Sequence, residues 1–147
     1  MELSSKIAML YNKGSSAAYK SLQELEALSD AEDALYPYFD EFLDMLGNEK
    51  YGIRVRGFRL LCKQAKWDTE NKIDKAFDFI LQAVDDEKPT AVRQKLKALE
   101  EIARYKKALH GKIKDKILSI HSLQFQNTMH PLIQKDVQHL LQVMESE

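Results

Sequence analysis

The sequence has little glycine and proline, and almost no cysteine. Among 147 residues there are five glycines, three prolines and one cysteine. Glycine and proline together are about half as frequent as in an average protein, which disfavours a turn-rich β-sandwich or barrel. One cysteine excludes an intramolecular disulfide framework and any all-cysteine zinc or iron–sulfur site within one chain. These scarcities together favour a helical protein.

Long apolar runs are also missing. No stretch approaches the roughly 18 consecutive apolar residues that a membrane span needs. Residues 1–11 lack the basic start and long apolar core of a secretory signal. With one thiol and no export signal, the expected location is cytoplasmic. The chain is long enough to bury a core of its own, so residues 1–147 are expected to form a single helical repeat domain.

Apolar residues recur in three- and four-residue steps nearly throughout, which places them on one stripe of a helix. We predict helices over residues 3–11, 15–29, 33–46, 50–66, 69–85, 89–105, 107–119 and 128–145. The prolines fall in the first turns of predicted helices, where a missing amide hydrogen costs nothing. They are Pro37, Pro89 and Pro131.

Other residues are expected to mark helix ends or contacts. Gly14 and Gly47 lie where a left-handed residue closes a helix, and Asp30 and Asp68 lie where an N-cap begins the next helix. Gly57 lies well inside a predicted helix, which indicates a close approach of neighbouring backbones. Two apolar side chains of the irregular segment 120–127 are expected to pack under the last helix pair. They are Leu123 and Phe125.

The chain also repeats itself. A shift of 38 residues aligns residues 35–46 with 73–84, and it carries the connector Asn48-Glu49-Lys50 onto Asp86-Glu87-Lys88. A shift of 36 residues extends the pattern towards the N-terminus. One offset that holds across two helices and their connector predicts a repeated unit. The unit is a pair of antiparallel helices used four times, and each pair buries its apolar stripe against the next pair.

This period resembles that of HEAT-type repeats, which also carry Val-Arg near the start of the second helix, here Val55-Arg56 and Val92-Arg93. More narrowly, the chain resembles a group of small uncharacterised bacterial HEAT-like repeat proteins. The resemblance implies an all-α fold: a right-handed, ARM-like α-solenoid of about four antiparallel helix pairs, which is an α-α superhelix of about eight helices. The segments that carry it are LYPYFDEFLDML (35–46), RGFRLLCKQAKWD (56–68), DEKPTAVRQKLKAL (86–99) and HPLIQKDV (130–137).

Some relatives in that group are labelled after the Suf iron–sulfur assembly scaffold. Cys62 stands alone within an apolar arc, so the residues do not support this label. The four histidines have no common helical ligand spacing, and neither a phosphate loop nor a nucleophile motif is present. We therefore expect no cofactor, no metal site and no enzymatic activity.

Charge is distributed unevenly along the chain. Residues 1–50 carry 4 basic and 10 acidic side chains, whereas residues 51–118 carry 17 basic and 10 acidic ones. Residues 51–66 of the predicted helix 50–66 include five basic residues and no acidic one, and most of them share an arc beside the apolar stripe. In a HEAT-like stack these residues and their counterparts in helix 89–105 predict a basic concave groove. The alternative is a solvated face that acidic side chains partly neutralise. This basic row consists of Arg56, Arg59, Lys63, Lys66, Arg93, Lys97 and Arg104.

Two further segments have a functional and a structural interpretation. Trp67 and Asp68 resemble the aromatic–aspartate pair on the basic face of HEAT-like DNA alkylpurine glycosylases. The structural interpretation is that Trp67 fills a gap between repeats, as Tyr105 does in the next, while Asp68 caps the following helix. Residues 88–94 are either an anion site at a helix start or a tight turn, with Arg93 bonded to an acid such as Asp85 or Asp86.

The leading functional hypothesis is a non-enzymatic protein-protein interaction module or scaffold, whose curved repeat surface binds a protein or peptide with an acidic segment. The alternative is a nucleic-acid-binding protein related in architecture to the glycosylases, with affinity that falls steeply with salt. A homodimer formed through the terminal repeats is a third hypothesis, beside a monomer. No membrane partner is expected. Besides the basic row, Trp67 is a candidate partner-binding residue.

Overall fold

Helices make up all the regular structure in the residues that the computed structural model describes, which are 2–120, 125 and 128–147. These residues contain nine α-helices and no strand, so the all-α class is confirmed. The helices are α1 (Leu3–Ala8), α2 (Ser15–Ala31), α3 (Phe39–Met45), α4 (Tyr51–Lys63), α5 (Lys72–Lys75), α6 (Phe77–Gln82), α7 (Pro89–Tyr105), α8 (His110–Leu118) and α9 (His130–Ser146). A short 3-10 turn follows α1 (Met9–Tyr11) and another follows α4 (Gln64–Trp67). Two more precede α3 (Tyr36–Tyr38) and α8 (Lys107–Leu109).

Seven of the eight predicted helices match an observed helix, with ends that differ by a few residues. The helix expected over 69–85 is instead two helices, α5 and α6. The amide of Ala76 donates to the carbonyl oxygens of both Lys72 and Ile73, at 3.2 Å each. The backbone of Ala76 lies at φ −104° and ψ 11°, so α5 ends in a tight turn there and α6 begins anew.

Several of the predicted end signals were wrong. No described glycine has a positive φ, so neither Gly14 nor Gly47 closes a helix in the left-handed conformation; Asn71, with φ 55°, is the described residue that adopts it. Asp30 lies inside the last turn of α2 and is not an N-cap. The prolines do lie in first turns, as predicted: Pro37, Pro89 and Pro131.

The same short turn precedes α2, α4 and α7. In each connector the side-chain oxygen of an Asn or Asp accepts a hydrogen bond from the amide two residues later, which is an Asx turn. The three positions are those that the shifts of 36 and 38 residues align, so the connector equivalence seen in the sequence is also a structural one. The bonds run from Gly14 N to Asn12 Oδ1 (2.6 Å), from Lys50 N to Asn48 Oδ1 (2.9 Å) and from Lys88 N to Asp86 Oδ1 (3.0 Å).

One apolar core runs through the described chain, from Ile7 in α1 to Val143 in α9. Within it α2 packs against α4, α4 against α7, and α7 against α9. Helix α3 also packs against α4, the helix that follows it in the chain. Phe125 is partly buried against this core, and Leu123 lies outside the described residues. No described helix combines the length and the apolar character needed to cross a membrane.

Gly57 marks the closest approach between α3 and α4, as predicted. A Cβ atom at Gly57 would lie 2.5 Å from the Cβ of Met45 and 3.0 Å from the carbonyl oxygen of Phe42. Both distances are shorter than carbon contacts in well-packed proteins. The absence of a side chain at residue 57 therefore allows the two helices to pack this closely.

Candidate functional site

Helices α2, α4, α7 and α9 line one face of the molecule, which we call the groove face. Three depressions lie along it, and the side chain of Gln94 in α7 lines all three. The Tyr19–Tyr51 cleft, of about 390 Å³, lies between α2 and the start of α4. The central depression, of about 570 Å³, lies between α2 and α7 across α4, and the α7–α9 depression has about 500 Å³. The shared lining makes them parts of one groove.

The structure places most of the predicted basic row on this face. Five of its side chains line the depressions, and the other two, Lys66 and Arg104, do not. The five are Arg56, Arg59, Lys63, Arg93 and Lys97. The helical spacing therefore identified side chains of one face correctly.

Acidic side chains of neighbouring helices bind the two central cations of the row. Arg59 makes a bidentate pair with Glu26 of α2, at 3.1 and 2.8 Å. Lys63 binds Asp30 of α2 at 2.9 Å and Glu101 of α7 at 3.1 Å. Burial alone would lower the pKa of Lys63, but its bonds to the two carboxylates outweigh burial and raise it. These cations join α4 to the helices on either side.

Arg93 likewise joins two helices of the groove face, α7 and α9. Its guanidinium binds Asp136 of α9 at 2.7 and 3.3 Å, and this bond raises the pKa of Arg93. The expectation that Arg93 bonds to Asp85 or Asp86 was wrong, because the side chain points along the groove face towards α9. Arg93 nevertheless bonds to an acidic residue of another element, as the structural interpretation expected, and that residue is Asp136 of α9.

The remaining members of the row are more exposed. Arg104 lies 3.7 Å from Glu100 and 3.5 Å from Glu147, with about half of its side chain exposed. Lys66 donates to the carbonyl oxygen of Asp30 at 2.7 Å. Lys97 is exposed and makes no hydrogen bond or ion pair within the described part of the chain.

The groove is charge-balanced rather than basic. In the central and the α7–α9 depressions, Arg59, Lys63 and Arg93 bind acidic side chains of other helices, which belong to α2, α7 and α9. The described side chains that line the groove include five basic ones, given above, and five acidic ones: Glu26, Asp30, Glu100, Glu101 and Asp136. These ion pairs favour the alternative to the basic groove, which is a face that acidic side chains partly neutralise.

Trp67 anchors one helix end to another. Its indole Nε1 donates to the carbonyl oxygen of Ser29, near the end of α2, at 2.7 Å. The ammonium of Lys66 lies 5.0 Å from the centre of the indole ring. The half-buried ring thus joins the turn after α4 to the end of α2, which is consistent with the structural interpretation. Tyr105 does not do the same, because it is 49% exposed.

Asp68 is buried and caps α5. Its carboxylate accepts hydrogen bonds from the amides of Lys72 and Ile73 and from the hydroxyl of Tyr36 (2.6 Å), and it pairs with Lys106 at 3.0 Å. Burial alone would raise the pKa of Asp68, but the four donors outweigh burial and lower it. Asp68 is therefore a cap for the following helix, as predicted, and all its accepting capacity is used inside the molecule.

We expect Tyr36→Phe to lower the free energy of unfolding by about 1 kcal/mol, because Asp68 loses one of its four donors. Burial and the bond to Asp68 raise the pKa of Tyr36 to about 12, from an ordinary value of 10.0. A raised folded-state pKa contributes stability that is present below pH 10 and is lost as the pH rises from 10 to 12. Urea unfolding of both proteins from pH 7 to 11 should therefore show their difference shrinking at the alkaline end. A difference that grows with pH would contradict this assignment.

A second buried carboxylate was missed in the sequence. Asp86 binds Arg54 of α4 at 3.1 Å and Lys95 of α7 at 3.1 Å, and both the Asp86 and Lys95 side chains are 1% exposed. Burial lowers the pKa of Lys95 despite the bond to Asp86. For Asp86, bonds from the amide of Lys88, from Lys95 and from Arg54 outweigh burial and lower the pKa. Asp86 thus binds both Arg54 and Lys95, and none of these three side chains lines a depression of the groove face.

Other candidate sites find no support. Cys62 is fully buried, and burial raises the pKa of its thiol well above the usual range. Within residues 2–120, 125 and 128–147, no three His, Cys, Asp or Glu side chains lie close enough together to hold a metal ion. The amide of Lys88, at the start of the suspected anion site, is bonded to Asp86.

The comparisons with known proteins give no match: no family model, no curated protein and no solved structure is similar to the chain. What is established is thus a small all-helical protein. The description of the groove face therefore depends on the structure of this chain alone.

Proposed function

We propose that the protein is a non-enzymatic interaction module, a short α-solenoid of HEAT-like helix pairs whose groove face binds a polypeptide segment. One observation carries this proposal. Three depressions merge along α2, α4, α7 and α9, and most of the charged groups between them are already paired. A surface that is pre-formed, concave and charge-balanced suits a polypeptide better than a highly charged ligand.

The repeat architecture is supported by the sequence distance between bonded residues. Hydrogen bonds between helices of the groove face join residues about one repeat apart: 33 residues for Arg59 and Glu26, 38 for Lys63 and Glu101. The bond from Arg93 to Asp136 spans 43 residues. Contacts restricted to neighbouring units are typical of a solenoid, in which each repeat packs only against the next.

Side chains with free hydrogen-bonding atoms in the groove favour a polypeptide ligand. Tyr19 is 50% exposed and Gln23 is exposed, and neither side chain is hydrogen-bonded to another described residue. Gln94 is exposed too; its Oε1 accepts a hydrogen bond from Arg59 at 3.0 Å, which leaves its Nε2 to donate to a ligand. Carboxamides and a phenol both donate and accept hydrogen bonds, which matches the alternating donors and acceptors of a peptide backbone. Lys97 adds one free cation. These four side chains are the partner-binding residues that the geometry favours.

Nucleic-acid binding stays an alternative prediction. Affinity for a phosphate backbone comes mostly from cations that displace counterions from it. Among the described residues, four of the seven members of the basic row pair with carboxylates instead. They are Arg59, Lys63, Arg93 and Arg104.

The test is a selection of random 12-residue peptides, displayed on phage, against the immobilised full chain. Peptides that bind through the groove should lose affinity for the double variant Tyr19→Ala/Lys97→Glu by roughly tenfold or more, because a central aromatic anchor is removed. A matched control also replaces one aromatic residue and one lysine, on α6 and α5, where both side chains are exposed: Phe79→Ala/Lys75→Glu. This control should bind as the wild type does.

Selection that enriches no peptide would overturn the proposal. So would peptides that the groove variant and the control bind equally well. Both double variants replace exposed side chains, so circular dichroism and thermal unfolding should show that they remain folded.

A further inference from the structure

The Tyr19–Tyr51 cleft differs in charge from the rest of the groove. Its described lining comes from α2, α4 and Gln94 of α7, and it includes two arginines and no carboxylate. Arg59 is paired with Glu26, which leaves Arg56 as the cation available to a ligand. The other two depressions each contain acidic side chains. A negative group on a bound segment therefore meets less repulsion in this cleft than elsewhere along the groove.

Arg56 is partly buried and lacks an anionic partner among the described residues. Its Nη1 donates to the carbonyl oxygen of Leu10 at 2.6 Å, and this bond fixes the guanidinium at the wall of the cleft. A carbonyl carries no net charge, so the positive charge stays uncompensated. Burial lowers the pKa of Arg56, which is the expected effect of removing a cation from water without giving it an anion. No second hydrogen bond joins this guanidinium to the described part of the chain, so its remaining N–H groups can donate to a ligand.

We propose that the Tyr19–Tyr51 cleft binds a carboxylate side chain of the polypeptide segment, with Arg56 donating the hydrogen bonds. The inference rests on the proposed function and adds the chemistry of the segment: an Asp or Glu at one defined position. Arginine N–H groups match the two oxygens of a carboxylate, and such charge-assisted bonds are strong and directional.

The rim of the cleft defines the neighbours of that acidic residue. Tyr19 and Tyr51 are 50% and 46% exposed. Aromatic rings at the edge of a cleft pack against apolar side chains and exclude water from the bond beneath. The ammonium of Lys88 lies 5.7 Å from the centre of the Tyr51 ring, which adds positive potential on the same side. The segment should therefore carry an acidic residue flanked by apolar ones.

The experiment uses the peptides enriched on the wild-type chain and two variants. Arg56→Gln removes the charge. Gly52→Ala keeps the charge but places a Cβ 3.2 Å from the present position of Arg56 Nη2, which displaces the guanidinium. Alanine is the better helix former, so Gly52→Ala should fold at least as well as the wild type. Gly111→Ala is the matched control, because its Cβ would have no neighbour within 4 Å.

Enriched peptides should share an Asp or Glu, and a synthetic peptide should bind roughly tenfold more weakly when that residue becomes Asn or Gln. Arg56→Gln should weaken binding of the acidic peptide to a similar extent, and Gly52→Ala should weaken it less, because the guanidinium only has to shift by a few tenths of an ångström. Both should have little effect on the amide version. Gly111→Ala should leave both affinities unchanged.

Two results have different meanings. Peptides that need the groove but show no acidic consensus, and are indifferent to both variants, would overturn this inference and leave the proposed function standing. Selection without any groove-dependent peptide would overturn the proposed function, and this inference with it.

Discussion

Asp86→Asn should lower the free energy of unfolding by about 3–5 kcal/mol, the usual cost of removing one member of a buried ion pair. The variant leaves the ammonium of Lys95 buried without an anion, since both side chains are 1% exposed. Asparagine preserves the connector, because Asn48 forms the same turn before α4 with its own Oδ1. The lost stability is therefore due to the missing negative charge and not to a disrupted turn. The free energy of unfolding is measured by urea unfolding monitored by circular dichroism.

The double variant Asp86→Asn/Lys95→Met provides the control. It removes the stranded ammonium and fills its space with an apolar chain of similar length, so it should recover most of the lost stability. Lys95→Met alone should cost less than Asp86→Asn, because Arg54 and the amide of Lys88 still bind the carboxylate. The two single effects should be strongly non-additive. A double variant whose loss of stability equals the sum of the two single losses would show that the pair is not coupled.

The second large effect is expected at Gly57. Gly57→Val should lower the free energy of unfolding by about 2–3 kcal/mol, because its Cβ would lie 2.5 Å from the Cβ of Met45 and the helices α3 and α4 would have to separate. Helix propensity does not explain such a loss, since valine is no worse than glycine in a helix.

Gly111→Val is the matched control for Gly57→Val. A Cβ at Gly111, in α8, would meet nothing within 4 Å, so its stability should stay within about 0.5 kcal/mol of the wild type. Equal unfolding midpoints for the two variants would mean that α3 and α4 separate without cost at residue 57.

Much of the local structure was predictable from the sequence because it depends on neighbouring residues. The helices follow from apolar spacing, and the equivalence of the connectors follows from Asn48 and Asp86 occupying aligned positions. Two incorrect predictions also concern local structure. Gly14 lies in an Asx turn that the preceding Asn12 already signals, and the division of the helix 69–85 at Ala76 has no comparable signal in the sequence.

The candidate site was only half predictable. The spacing of Arg59 and Lys63 placed them on one face of a helix, but their partners come from α2 and α7, and one chain position does not reveal which helix lies opposite. Gln94 was missed, because an exposed glutamine on a helix has no distinctive pattern. The burial of Lys95 did have a signal in the sequence, because the residue lies three positions after Val92 and one before Leu96, within the apolar stripe of α7.

The bonds of Asp86 have a consequence for how the chain loses its structure. The carboxylate completes the turn before α7 and at the same time holds Arg54 of α4, so a local element and a contact between units share one group. Repeat proteins often fray from one end, because each unit adds its own stability in sequence. In this chain the Asp86 carboxylate joins α4 to the turn before α7, so these two helices should open together as one cooperative block in hydrogen exchange, after the terminal helices.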